Sequence, residues 1–302
     1  MAEQIIKLFS KELQENLFPK NEFYKNSKVD GGIDARFGSV EVPQAGATPG
    51  VTKNPSSFPL TAAQRTDDVK SYTVDLYATD AIHITDVNEV VTNYEKRSNI
   101  LMDHTATLNT RIADEIAFSW APTLAGQKSY MTGTADGTAL APSATGTRKT
   151  LTRNDLSDLA IKFDIDDVPA GMRNILVDAR LYAQLLKIDS FINFDYVNRK
   201  PTVDGQIGEI FGMKVFKRSK SVYFNTSNVK KTVGAAGAAT DHLAILAWAD
   251  NCVRRAEGAV KVYADFDNPL YLGSIFNASV RAGGTASRND EKGVYALIQA
   301  TA

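Results

Sequence analysis

Residues 86–120 carry one narrow apolar stripe, Tyr94, Leu101, Leu108, Ile112 and Ile116, with Val90 and Val91 at its head and Asn, Thr, Arg, Asp and Glu on the remaining faces. Asp86 with Glu89 makes a capping-box start, and Pro122 stops the pattern. The spacing therefore predicts one helix over 86–120, roughly 50 Å long at 1.5 Å per residue. A stripe that thin cannot close a core by itself. Over most of its length it must lie across a sheet or another chain, so the fold has to supply a long flat surface beside a long helix.

The stretch before it has a different character. Gly, Pro, Ser, Thr and Ala dominate residues 31–68, and apolar residues there are scattered. Such a segment buries no core, and a loop of this length inside a compact domain is uncommon unless it is functional. Short alternating pieces at 39–42 and 69–77 predict that its two ends pair as a long hairpin. Further upstream, Ile5, Phe9, Leu13 and Leu17 fall four apart and mark one stripe of a short helix ending before Pro19. Docking of that stripe on its own core and docking elsewhere as an arm are both open.

Downstream, residues 123–150 are rich in Gly, Ala, Ser and Thr and read as a flexible junction between two packed regions. Thr152 with Asp155 then resembles a helix cap before Leu156, Leu159, Ile161 and Phe163. Residues 174–177 form a short apolar run, Asp178 is a cap, and Leu181, Tyr182, Leu185, Leu186 and Ile188 make an apolar helix face. Gly208 and Gly212 bracket a strand carrying Ile210, Met213, Val215 and Phe216. Residues 243–248 read as a buried strand. Val260, Val262 and Ile275 to Val280 alternate with polar residues, and a closing strand at 293–300 follows a polar turn at 287–292. These last strands are expected on one antiparallel sheet.

The order of Arg173, the Leu185–Leu186 pair, Gly208 with Gly212, and Ser219 resembles the axial domain of tailed-phage major capsid proteins. There an Arg-led strand, a helix ending in a Leu pair and a G-x-I-x-G-x-x-V strand recur. The preceding loop, strand and long helix match the family's extended loop and spine helix, and the Arg288 to Val294 run entering a last strand is also common in it. The resemblance covers the chain from about residue 31 and implies an α+β Hong Kong 97 type capsid fold. Its parts would be an N-terminal arm (1–30), an extended loop hairpin (31–78), a peripheral domain (79–150 and 257–302, with the spine helix at 86–120) and an axial domain (151–256).

The search for chemistry finds no catalytic site. His83, His104 and His242 are far apart in sequence and in no metal spacing. Asp164, Asp166 and Asp167 invite a calcium reading, but the sixth position of such a loop is Pro169 and its twelfth is not Glu, so a solvated turn is the expectation. No phosphate loop and no G-x-S-x-G occur. The single cysteine, Cys252, rules out an internal disulfide and lacks a local nucleophile signature. No cofactor and no metal is expected. With 34 Lys and Arg against 35 Asp and Glu, the chain offers no strong field for nucleic acid or an anionic membrane. Arg148, Lys149 and Arg153, and Lys214, Lys217, Arg218 and Lys220, form local basic clusters. No apolar stretch reaches the ~20 residues that span a bilayer, and the chain is expected to be soluble, made in the host cytoplasm and destined for the virion.

The resemblance implies assembly with itself: hexamers and pentamers closing an icosahedral shell around phage double-stranded DNA held without sequence specificity. A separate scaffolding protein and a portal protein are the implied helpers. Arg36, Lys53, Arg65 and Lys70, in or beside the loop, are the candidate inter-subunit ion-pair formers. The alternatives are an encapsulin-like shell around a protein cargo and a soluble α+β enzyme.

Overall fold

The computed structural model describes residues 21–31, 38–56, 58, 62, 64–85, 96–135, 137–188, 206–270 and 272–301. The stripe expected at 5–17, the opening of the long helix at 86–95 and Arg36 lie outside the described residues. In chain order come β1 (Lys28–Val29), β2 (Ser39–Gln44), β3 (Asp68–Thr73), β4 (Asp75–Ala78), β5 (Ile82–Thr85) and helix α1 (Lys96–Trp120). Three short strands come next, β6 (Lys128–Tyr130), β7 (Gly137–Thr138) and β8 (Thr147–Arg148), then α2 (Arg153–Ile165), β9 (Arg173–Asp178) and α3 (Ala179–Leu185). The rest is strand: β10 (Gln206–Ile210), β11 (Met213–Arg218), β12 (Val222–Phe224), β13 (His242–Ala249), β14 (Val253–Glu257), β15 (Lys261–Asn268), β16 (Gly273–Ala286) and β17 (Val294–Ile298).

Local chemistry sets the helix starts. Thr152 Oγ1 accepts from the Asp155 amide and the Asp155 carboxylate accepts from the Thr152 amide at 2.9 Å, a reciprocal box that opens α2. Asp155 also accepts from the Thr132 hydroxyl at 2.6 Å, which ties the preceding segment to the helix. Thr152→Ala should therefore lower stability by about 1 kcal/mol, read as a lower urea midpoint at unchanged slope; an unchanged midpoint would reject the cap. Asp178 caps α3 through the Arg180 amide at 2.8 Å.

The long strand β16 is the axis of a six-stranded sheet. Ser279 pairs with Lys261 of β15 on one edge and with Ala78 of β4 on the other. β14 continues the β15 side, β5 continues the β4 side, and β1 adds in parallel to β14. Helix α1 lies along β16. Its large buried side chains are Ile100, His104, Leu108, Ile112, Ile116 and Trp120, each four after the last, with Ala113 and Ala117 buried beside them. Steps of four overshoot 3.6 residues by about 40° each, so the stripe winds round the helix and follows the twist of the sheet. Leu101 packs beside the smaller cluster of Ile84, Ile100 and Phe276.

A second, seven-stranded sheet runs β10-β11-β9-β13-β17-β6, with β12 pairing the outer end of β13. Every residue of β9, β13 and β17 is buried, which is why these strands read as continuous apolar runs instead of alternating ones. β9 and β11 are parallel, joined across α3. Leu181, Tyr182 and Leu185 of α3 are buried, and Phe163 of α2 meets Tyr295 of β17 edge to face at 4.9 Å.

Four expectations are corrected. The closing strand does not join the sheet of β15 and β16; it pairs with β13 and β6 in the seven-stranded sheet, because its Val294 to Ile298 run is apolar on both faces and needs a doubly covered position. β14, expected with the axial elements, instead pairs with β16. Residues 123–150 are not a loose link: Met131 and Arg148 are buried, and β6 extends the sheet. In addition, Gly208 and Gly212 mark a hairpin and not one strand, since Phe211 (φ 47°) and Gly212 (φ 73°) make a two-residue turn between β10 and β11.

The two sheets share one core. Trp120 from α1 and Trp248 from β13 meet at 5.6 Å between centroids, and Phe23 from the 3-10 turn Glu22–Lys25 sits edge-on to both, at 6.3 and 5.9 Å. Trp248 Nε1 donates to Asn26 O at 2.8 Å and Trp120 Nε1 to Arg254 O at 3.0 Å, so neither indole is buried unpaired.

Candidate assembly surfaces

β2 and β3 pair antiparallel from Ser39↔Thr73 to Gln44↔Asp68, so the ends of the Gly- and Pro-rich segment form the expected hairpin. Its root is fixed by side chains. Val42, Tyr72, Val74 and Ala256 form a small separate core. Tyr72 Oη donates to Asp30 Oδ2 at 2.6 Å, and the other Asp30 oxygen accepts from Arg254 Nη1 at 2.6 Å. Burial and the Asp30 carboxylate push the Tyr72 phenol well above its ordinary range, so it stays a donor. Tyr72→Phe should cost roughly 1 kcal/mol and speed amide exchange in β2 and β3, read by hydrogen exchange; unchanged exchange there would show that the bond does not hold the root.

The 287–293 turn is the hairpin's second anchor. Gln44 Nε2 donates to Ser287 O at 2.7 Å, Lys70 Nζ to Arg288 O at 2.8 Å, and Asn289 Nδ2 to Asp68 Oδ2 at 2.9 Å. The same turn grips the segment just past the end of α1. The Glu291 carboxylate accepts from the Thr123 hydroxyl at 2.5 Å and from the Thr123 and Leu124 amides at 2.8 and 2.9 Å. Lys230 closes that end from the other side, donating to Phe118 O at 2.9 Å and Ala121 O at 2.7 Å. Opposite charges thus take the helix's last carbonyls and the amides just beyond them.

Past the root, no such anchor to the body of the fold is found among the described residues. Asp67 Oδ1 accepts from the Gly46 amide at 2.7 Å and from Arg65 Nε at 2.6 Å, and these two bonds hold its carboxyl below the usual range. Beyond Gly46, Val51 is 97% and Phe58 76% exposed, and Lys53 is exposed as well. Large apolar side chains this exposed make the loop a candidate contact surface. A second bare region is β15. Lys261 to Phe266 are exposed on both faces, no described strand pairs with the outer edge, and Leu270 and Leu272 beyond it are 87% and 74% exposed. An open edge of this kind is managed in natural proteins by covering it.

Of the residues singled out from the sequence, Lys53 stands on the bare loop, Arg65 meets Asp67 and Lys70 meets the Arg288 carbonyl of its own chain. Two of the basic-cluster arginines are structural: Arg218 is buried against Asp114, and Arg148 donates to Ala239 O at 3.3 Å. The Asp-rich turn is spent on the fold, with Asp164 paired to Arg173 and Asp166 accepting from the Tyr295 hydroxyl and the Gly293 amide. Burial pushes the Cys252 thiol up, which makes it a poorer nucleophile. Among the described residues no His, Cys, Asp and Glu converge in a group fit for a metal ion. Sequence reasoning missed Asp30, Gln44 and Asn289, because each works on a partner more than 40 residues away.

No protein-family model matches the chain, and no curated protein matches it. Solved structures do. The capsid of cyanophage P-SCSP1u superposes with a TM-score of 0.72 at 18% identity, covering 99% of this chain and 94% of that one. The chain has the Hong Kong 97 type capsid fold. The cyanophage Pam1 capsid (TM-score 0.66, 11% identity, 100% and 98% covered) and the capsid of Ralstonia phage GP4 (0.65, 11%, 99% and 96%) are similar over the same span.

Proposed function

We propose that this chain is the major capsid protein of a tailed double-stranded DNA phage, assembling with itself into hexamers and pentamers of an icosahedral shell. The observation that carries the reading is coverage in both directions: capsid subunits match 99% of this chain and 94% of theirs, so the extended loop and the sheets are matched together and not as one shared module. In the terms of that fold, β2 and β3 are the extended loop, α1 the spine helix on the peripheral sheet, and the seven-stranded sheet the core of the axial region. The bare surfaces fit the reading. The loop's Val51 and Phe58 and the open edge of β15 are liabilities in a monomer and contact groups in a shell. The mechanism is association: each subunit lays its loop on a neighbour, and weak contacts add through multivalency.

Within this reading, Lys53 and Arg36 are the loop cations offered to a neighbour, while Arg65 and Lys70 first hold the loop and its root in shape. A separate scaffolding protein, a portal protein and packaged DNA held without sequence specificity complete the proposal, with the subunit made in the host cytoplasm and ending in the virion. The reading assigns the chain no enzymatic step. No helix among the described residues is long and apolar enough to cross a membrane. The test is expression with and without a candidate scaffold, followed by size-exclusion chromatography and negative-stain electron microscopy. Closed shells or capsomer rings are expected. A dispersed monomer under both conditions would overturn the reading.

A further inference from the structure

The outer strand of the six-stranded sheet, β15, carries a charge pattern that says what its open edge can receive. It pairs with β16 in unbroken register from Lys261↔Ser279 to Asp265↔Ile275, and a bulge between Asp265 and Asn268 ends the regular run. Among the described residues no strand takes the other edge of this run. Tyr263 is its centre.

Successive side chains of a strand point to opposite faces. Phe276, the partner of Ala264, is buried with Ile100 of α1, so Val262 and Ala264 lie on the helix side of the sheet and Lys261, Tyr263 and Asp265 on the other. All five are exposed, Val262 by 50% and Tyr263 by 56%. Lys261 and Asp265 stand four residues apart, roughly 13 Å along a strand, too far to meet each other. Asp265 accepts from Asn268 Nδ2 at 2.7 Å, and among the described residues neither charge has an ion-pair partner.

Edges are commonly protected by a charge that an added strand would leave unpaired. Here the charges are self-complementary. Two copies of the strand, antiparallel about Tyr263, set Lys261 opposite Asp265 twice, Tyr263 opposite Tyr263 and Val262 opposite Ala264. The neighbouring registers lose this match. A centre at Val262 leaves Asp265 opposite Ala259, and a centre at Ala264 carries Lys261 to Asp267, inside the bulge.

We propose that β15 pairs antiparallel with β15 of a second copy about a two-fold axis at Tyr263, continuing the six-stranded sheet across the subunit boundary. The inference rests on the shell reading for its setting. A contact this short falls well below the about 20–30 residues a side of a stable interface, so it holds where many other contacts share the load. Being isologous, it joins copies in pairs and no further.

The test is Tyr263→Cys in the full chain, assembled as in the expression experiment above and treated with oxidised glutathione. The unsubstituted chain and Ala264→Cys are the controls, and Cys252 is buried and stays in place. Particles of Tyr263→Cys should give covalent dimers and no longer ladder on a non-reducing gel, while the two Ala264→Cys positions stand more than ~7 Å apart and should not link. Particles without dimers from Tyr263→Cys, or with equal linking from Ala264→Cys, would overturn the pairing and leave the shell reading standing. A dispersed monomer would overturn both. Charge reversal gives a second reading: Lys261→Glu or Asp265→Lys alone sets like charges across both pairs and should raise the concentration at which shells form about tenfold. The double reversal should restore it, and a double variant no better than the singles would reject the proposal.

Discussion

A subunit lacking residues 47–64, closed from Gly46 to Arg65 through a Gly-Ser link, should fold with a Tm within about 3 °C of the full chain and form no closed shell. The two halves of this expectation rest on different parts of the hairpin. Folding survives because every root contact stays: Tyr72 on Asp30, Gln44 on Ser287, Lys70 on Arg288 and Asn289 on Asp68 all lie outside the deletion. The new link is short because the strands already converge there. The Gly46 amide is 2.7 Å from Asp67, and a side chain at Gly46 would come within 2.1 Å of the Thr66 carbonyl. Shortening a loop by this much changes its closure entropy by only about 1 kcal/mol.

Assembly is expected to fail because the deletion removes Val51, Lys53 and Phe58, the exposed groups of the loop. In a closed shell each lost contact recurs at every subunit, so a few kcal/mol per interface is multiplied through the whole particle. Circular dichroism melts and size-exclusion chromatography with negative-stain microscopy measure the two halves separately. Intact shells from the deletion would sink the loop's role while leaving the fold untouched.

Trp120→Ala should be the most damaging single core change, lowering stability by roughly 3–5 kcal/mol and the Tm by about 10 °C. The indole is fully buried, packs tilted against Trp248 and edge-on to Phe23, and its Nε1 serves the Arg254 carbonyl, which would be left without that donor. Its position gives a second signature. Trp120 closes α1, the helix of the six-stranded sheet, while Trp248 belongs to the seven-stranded one, so the cavity opens where the two sheets share a core. Melting should split into two transitions, each followed by a different probe. Trp120→Phe keeps an aromatic ring in the cluster but loses the hydrogen bond and part of the ring volume, so it should cost less, roughly 1–3 kcal/mol, and keep a single transition. If both variants melt alike and cooperatively, the sheets are not coupled through this cluster.

How much of this was legible in advance depends on the distance between partners. Thr152 with Asp155 and Asp178 with the start of α3 are caps made within three residues, and the sequence pattern located both. The run at 243–248 announced a doubly buried strand, and β13 is one. The alternating ends of the 31–68 segment announced the β2–β3 hairpin. The long helix was also legible, but its buried line was not quite the expected one. Leu101 looked equivalent to Leu108 seven residues on, whereas the sheet's twist selects Ile100 and His104 on a line of four-residue steps.

The candidate assembly surface on the loop was legible by what the loop lacks. Residues 31–68 contain too little apolar side chain to stand alone, and that remained true of the loop beyond Gly46. What holds its root was hidden, because Asp30, Gln44 and Asn289 are ordinary polar residues until the fold brings partners from 42 to 243 positions away.

By itself, then, the sequence determined the elements whose stabilising partners are near in the chain: helix caps, helix and strand periodicity, the hairpin, and the order of segments that resembles a capsid subunit. Only the tertiary structure decided that β17 closes the seven-stranded sheet and β14 joins β16, and that the 287–293 turn binds the loop root to the end of α1. A strand's own residues say whether one face or both will be buried. They do not say which edge will receive it, since that depends on backbone groups left unpaired by strands far away in sequence.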